Sequence, residues 1–284
     1  STSSVISDVL PISTEVSGEI KLWIDPLLPK IFQESVQVSE PVSITEESVT
    51  KEIKLSIDPN GEMIASWVFA LVAPFPTVED SFSLDDLQSA WQGKGDAYKK
   101  FGALWVSEET MTIFQTLWGE VSANGVKIVT PDQFVDQCWK AEKCWGIIPF
   151  EQIEPRLKVL YVNGLSPLQR GELEPDYPLK VSITITGDQA EMTKFHEAYN
   201  NHTVTWQNTN RDPQKLTVLV MTGVTALVRA TAEKMDKLGV NYPGRDIKHW
   251  MNDADLTHVC NEVSFDAKCP PGNPNQTSLQ FCSR

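Results

Sequence analysis

Two hydrophobic periods alternate along this chain. Glu19–Ile24 and Ile53–Ile57 alternate apolar and polar at every second residue, the spacing of a strand with one buried face. Met63–Ala73, reading MIASWVFALVA, is apolar almost throughout, and so is Leu216–Met221; both predict strands buried on both faces. Shorter runs predict strands at Leu104–Val106, Val126–Val129, Trp145–Pro149, Leu157–Val162 and Leu179–Thr186. Helical signals fall between them. Ser83 caps a helix with Asp85 and Asp86 in its first turn and an apolar face of Leu84, Leu87, Ala90 and Trp91. Ser107-Glu108-Glu109-Thr110 opens another, with Met111, Phe114, Leu117 and Trp118 on its apolar side. Thr130-Pro131-Asp132 caps a third, and Asp188–Ala198 is a fourth. Leu27–Val36 predicts a short helix with Pro29 near its start.

Alternating short strands and helices of this kind specify an α/β fold. Residues 1–18 read as a flexible polar leader, 19–205 as one domain, 206–214 as a linker and 215–284 as a second segment. The boundary rests on the polar stretch Asn200–Gln214. In the last segment Leu227, Val228, Thr231, Met235 and Leu238 recur at helical spacing and Gly239 stands at the helix end. A short helix around Asp246–Asn252 then leads to a strand-like run, Leu256–Phe265. Together with Leu216–Met221 this predicts a parallel, right-handed strand–helix–strand unit.

Composition narrows the function classes. At 284 residues the chain is long enough for a sizeable core, and its net charge of -14 argues against general nucleic-acid binding. No apolar run is long enough to span a membrane. The polar opening STSSVISDVLPISTEVSGE reads either as the new end left by removal of an export signal or as an arbitrary boundary. Among the five cysteines no CxxC pair occurs, which argues against a zinc site. In an exported protein Cys138 pairs with Cys144 and Cys269 with Cys282, leaving Cys260 in its strand; the alternative is five unpaired thiols. None of the four histidines lies in a nucleophile motif, and no Gly-rich phosphate loop is present. No catalytic residue, metal or cofactor is assigned.

The order of elements over 19–205 resembles the two-lobed (type II) periplasmic solute-binding fold of the phosphate/molybdate kind. The matching features are Trp23-Ile24-Asp25-Pro26, the crossover strand ending Ala73-Pro74-Phe75-Pro76-Thr77, the helix closing in Ala90-Trp91-Gln92-Gly93, and the return strand Trp145-Gly146-Ile147-Ile148-Pro149-Phe150. The resemblance implies a ligand gripped by loop amides and helix N-termini between two lobes. Candidate ligand-binding residues are Asp25, Pro76, Thr77, Ser107, Thr110 and Pro149. Asp25, Glu108 and Glu109 disfavour a simple oxyanion there unless they point away. Trp67, Trp91, Trp105, Trp118, Trp139 and Trp145 are read as core rather than as a sugar platform.

The stretch 215–284 resembles the opening part of the CapA-like, poly-γ-glutamate-synthesis family, a branch of the calcineurin-like metallophosphoesterase fold. Thr222-Gly223-Val224-Thr225-Ala226-Leu227-Val228-Arg229 follows its T-G-D-V-M-L-x-R motif, and Ala254-Asp255 with Asn261-Glu262-Val263 follows its A-D-x-x-x-x-N-L-E motif. The family-motif positions are therefore Gly223, Arg229, Asn261 and Glu262. Val224 stands where that family has a metal-binding Asp, the acid at Glu262 is displaced by one place, and a Gly-Asn-His motif is missing. These readings imply a non-catalytic cell-envelope or extracellular protein that binds or scaffolds, with a small solute or cell-surface polymer as partner. The alternatives are an N-terminal fragment of a phosphoesterase-fold enzyme, with a missing C-terminal part, and a structural subunit that self-assembles.

Overall fold

The computed structural model describes residues 18–46, 52–279 and 281–284. The leader expected at 1–18 falls outside them except for its last residue. In chain order the elements are β1 Ile20–Ile24, α1 Lys30–Ser35, β2 Gln37–Val38, β3 Val42–Thr45, β4 Ile53–Ser56 and β5 Glu62–Pro74. Next come β6 Ser81–Phe82, α2 Leu84–Trp91, α3 Gly95–Phe101, β7 Leu104–Val106, α4 Glu108–Trp118, β8 Val126–Ile128, α5 Pro131–Lys140 and β9 Gly146–Pro149. Then follow β10 Leu157–Val162, β11 Lys180–Thr186, α6 Gln189–Asn200 and β12 Val204–Thr205. The remainder is β13 Leu219–Thr225, α7 Arg229–Leu238, α8 Lys248–Asp253, β14 Leu256–Asn261, β15 Ser264–Phe265 and β16 Cys282–Ser283. The fold is mixed α/β. It divides into two compact units, one of residues 1–169 and 173–212, the other of 170–172 and 213–284.

The first unit is organised by β5. This strand is 13 residues long, and Trp67–Ala73 is buried without a break. Such a run has no polar side to turn to water, so both of its faces must be covered. Its first half pairs antiparallel with β11, from Glu62↔Ile185 to Val68↔Lys180. Beyond β11 lie β4, β1 and β3, the last three mutually parallel. Its second half pairs with β9 on one edge, Phe69↔Pro149 to Val72↔Gly146, and with β10 on the other, Leu71↔Leu160 to Pro74↔Leu157. β9 continues into the parallel strands β7 and β8. One strand thus joins two half-sheets, each with parallel strands followed by helices.

Local chemistry explains the helices. Ser83 and Asp86 form a reciprocal capping box at α2, with Asp86 N donating to Ser83 Oγ at 3.1 Å and Ser83 N to Asp86 Oδ2 at 2.9 Å. Ser107 caps α4 by accepting from Thr110 N at 3.0 Å. Pro131 occupies the first turn of α5, where its missing N–H costs nothing. The helices cover a core that includes Trp67, Trp91, Trp145, Phe32, Phe69, Phe114 and Phe195, all with less than 2% exposure. Trp139, by contrast, is 44% exposed. The disulfide expected between Cys138 and Cys144 ties the end of α5 to the approach of β9.

The second unit forms a parallel pair, β13 with β14, in the register Leu219↔Leu256 to Thr225↔Asn261. The expected crossover is present, but the expected burial is not. Leu219 is 53% exposed, Met221 65% and Leu256 61%. The pair is a two-stranded sheet among the described residues, so no third strand extends it. The Cys269–Cys282 disulfide closes this unit beside Val228, Ala232, Met235 and Val263, its buried apolar residues.

Candidate functional site

Three loops of the first unit leave the carboxyl ends of parallel strands, the usual position of ligands in α/β sheets. The loop after β1 is tightly pinned. Leu27 N donates to Asp25 Oδ1 at 2.9 Å, Leu28 N to Asp25 O at 3.0 Å, and Gln33 Nε2 to Leu28 O at 2.5 Å. The loop after β7 is the cap of α4. There Ser107 Oγ accepts from Thr110 N and donates to Thr110 Oγ1 at 2.9 Å, and Thr110 is fully buried. The loop after β9 begins at Pro149, which is buried, and runs through a single 3-10 turn, Phe150–Gln152.

The helices that follow the first two loops touch at their starts. Lys30 N, the first amide of α1, donates to Glu109 Oε1 at 2.6 Å across 79 positions of sequence. A helix's opening amides have no partner inside the helix, so a carboxylate there meets an unfilled donor. The third loop is held by the segment that follows β12. Asn210 behaves as a surrogate strand residue: Val68 N donates to its Oδ1 and its Nδ2 donates to Val68 O, both at 2.8 Å. The same Nδ2 donates to Glu151 Oε2 at 2.5 Å. Ser66 N donates to Asn208 O at 2.9 Å. Buried Arg211 anchors the segment, its Nε donating to Pro167 O and its Nη2 to Gln169 O, both at 2.6 Å. Residues 206–211, expected as part of a linker, instead lie along β5.

Glu151 is the carboxyl near these loops whose titration is perturbed. Loss of hydration pushes its carboxyl above the usual range, and the charge of Glu109 adds to the rise. Its backbone, Asn210 and Trp67 oppose that rise. Trp67 is fully buried, and its indole helps to hold the Glu151 carboxyl down.

The structure therefore brings Asp25, Ser107, Thr110 and Pro149 to the carboxyl ends of β1, β7 and β9. It places Pro76 and Thr77 elsewhere, in a groove of about 580 Å³ lined also by Glu79, Lys100, Phe101 and Trp139. The hydroxyl of Thr110 is engaged in the cap. Glu109 stands in a cap sequence that is legible along the chain. Glu151, Asn210 and Trp67 carry no sequence signal, because their partners lie 59 or more positions away.

In the second unit Gly223, Arg229 and Glu262 are exposed. Asn261 folds back on its own chain, with Nδ2 donating to Val263 O at 2.7 Å and Oδ1 accepting from Val263 N at 3.3 Å. A pocket of about 610 Å³ lies beside Thr222, Thr225, Arg245, Lys248 and Met251. Among the described residues, no three His, Cys, Asp or Glu side chains are grouped to hold a metal ion. None of the described helices is long and apolar enough to cross a membrane.

No protein-family model matches the chain, and no curated protein matches it. Solved structures do resemble it. An ABC-type phosphate transport receptor from Vibrio cholerae aligns at 12% identity and TM-score 0.44, over 64% of this chain and 94% of the receptor. PstS from Borrelia burgdorferi aligns at 11% identity and TM-score 0.45, over 64% and 92%. An OxyR mutant from Corynebacterium glutamicum aligns at 10% identity and TM-score 0.34, over 66% and 63%.

These findings correct the reading of 215–284 as CapA-like. No family or sequence match supports that assignment, and none of the solved structures named above is a phosphoesterase. The calcineurin-like frame falls with it: a lone parallel pair with Val224 72% exposed does not form the buried sheet of such a domain. The motifs span a short stretch, and a short strand–helix–strand pattern is common to many folds.

Proposed function

We propose that the first unit is a non-catalytic solute-binding module of the cell envelope, taking a small solute between the two half-sheets that β5 joins. In this reading the half-sheets are the two lobes of a type II solute-binding fold. The observation that carries it is the meeting of the helices that follow β1 and β7, α1 and α4, through Lys30 N and Glu109 Oε1. That contact brings the start of α1, on one half-sheet, against the start of α4, on the other.

Three further features support the proposal. The hydroxyls of Ser107 and Thr110 are spent on capping, which suits binding rather than nucleophilic attack. The cleft walls are pinned by Asp25, Gln33 and Asn210, so the site is largely preformed. The Cys138–Cys144 and Cys269–Cys282 disulfides fit an oxidising compartment.

The test is a screen of small solutes by thermal unfolding, with small-angle scattering on each hit. A solute that raises the melting temperature and lowers the radius of gyration is the expected result. A broad screen in which no solute does either sinks the proposal.

A further inference from the structure

We infer that the second unit binds a small organic anion, an apolar body carrying one carboxylate, in the cavity beneath its strand–helix–strand crossover. The cavity belongs wholly to this unit, so the inference stands apart from the solute-binding reading of the first.

The crossover from β13 to β14 runs through α7, the turn Tyr242–Gly244 and α8. α8 lies over β14, since Thr257 Oγ1 donates to Met251 O at 2.6 Å. Val259 is two residues further along the strand and therefore faces the same side. Between that side and the crossover a cavity of about 610 Å³ remains, a size typical of small-ligand sites. Its apolar wall includes Leu227, Val240, Ile247, Met251 and Val259. Val240 is 71% exposed and Val259 43%. An apolar body seated there removes from water a surface that the chain itself leaves wet.

The polar lining sets the charge of the ligand. Thr222 and Thr225 direct their hydroxyls to Gly223 O, at 3.1 and 3.3 Å, and Thr222 Oγ1 also accepts from Cys260 N at 3.3 Å. What remains is Arg245, Lys248 and the carboxamides of Asn241 and Asn252. Arg245 is held in place: its Nε and Nη2 donate to Asp246 at 2.9 and 3.3 Å, and its guanidinium carbon stands 5.2 Å from the centre of the Tyr242 ring. Its Nη1, Lys248 Nζ and the two carboxamides make no hydrogen bond with the described residues. No Asp or Glu lines the cavity, in a chain whose net charge is -14. Asp246, next to it in sequence, is already bound by Arg245. A carboxylate gives both cations a charge-assisted partner, whereas an alcohol or an ammonium group gives them none.

The experiment uses three probes of similar length: octanoate, 1-octanol and octylammonium. Calorimetric titration is run on the whole chain and on variants first checked by thermal unfolding. Octanoate should bind more tightly than either analogue. K248Q should raise its Kd about fivefold, and the R245Q/K248Q pair should raise it further. V240D, at the exposed rim, should abolish binding by setting a like charge beside the carboxylate. In spectra of protein carrying 13C-methyl methionine, the Met251 signal, identified as the one missing from M251L, should move as octanoate saturates. Absence of octanoate binding overturns the inference. Equal binding of octanol, or tighter binding of octylammonium, overturns the anion selectivity. Octanoate binding that the paired variant and V240D leave unchanged, with a stationary Met251 signal, puts the ligand elsewhere and overturns the site.

Discussion

At the scale of single residues, one buried hydroxyl and one perturbed carboxyl set out what the fold depends on. Tyr177 is 2% exposed, and its hydroxyl donates to Phe69 O at 2.8 Å, in the middle of β5. Burial holds its pKa above the usual range, so it stays a neutral donor. Tyr177→Phe leaves that carbonyl without its side-chain donor and should cost about 1 kcal/mol in urea unfolding. An unchanged midpoint would show that the carbonyl finds another donor. Glu151 has the opposite balance. Its folded-state pKa is raised, so the folded chain binds its proton more tightly than the unfolded chain does. Its contribution is present below the unfolded carboxyl pKa and is lost as pH rises through the folded value. Glu151→Gln should therefore gain melting temperature relative to wild type between pH 4 and pH 7. A difference that stays flat, or reverses, contradicts the assignment.

Elements were legible where their determinants are close in sequence. The capping box at α2 joins residues three apart, and its strength can be measured. Ser83→Ala removes the acceptor for Asp86 N and should destabilise the first unit by about 1 kcal/mol. Ser83→Asp should recover most of that loss, because Asp is also a good N-cap. The strand β5 was likewise legible as a buried strand, since a run such as Trp67–Ala73 fits little else. The apolar run at Leu216–Met221 gave the same signal and a different outcome. Its strand starts at Leu219 and stays largely exposed. Hydrophobicity states what a strand would gain by burial; whether a neighbour exists to bury it is decided elsewhere in the chain.

At the scale of the whole molecule the chain folds as two units, each with its own buried residues. The second has a small core, so a cross-link should matter more to it. The Cys269–Cys282 bridge spans 13 positions and on loop entropy contributes about 3 kcal/mol. Replacing both cysteines by Ser should lower one calorimetric transition and leave the one belonging to the first unit in place. A single transition that moves as a whole would show the two units to unfold together.

Sequence alone determined the α/β class, most helix starts and β5 as a buried strand. Each of these depends on neighbours a few residues away, or on a side-chain period that folding cannot change. Tertiary structure alone decided which loops meet. Glu109 meets Lys30 across 79 positions, and Glu151 meets Asn210 across 59. It also decided that β13 would remain open to solvent. A carboxylate's role is set by the charges and donors around it in space, and these come from loops that only the sheet brings together.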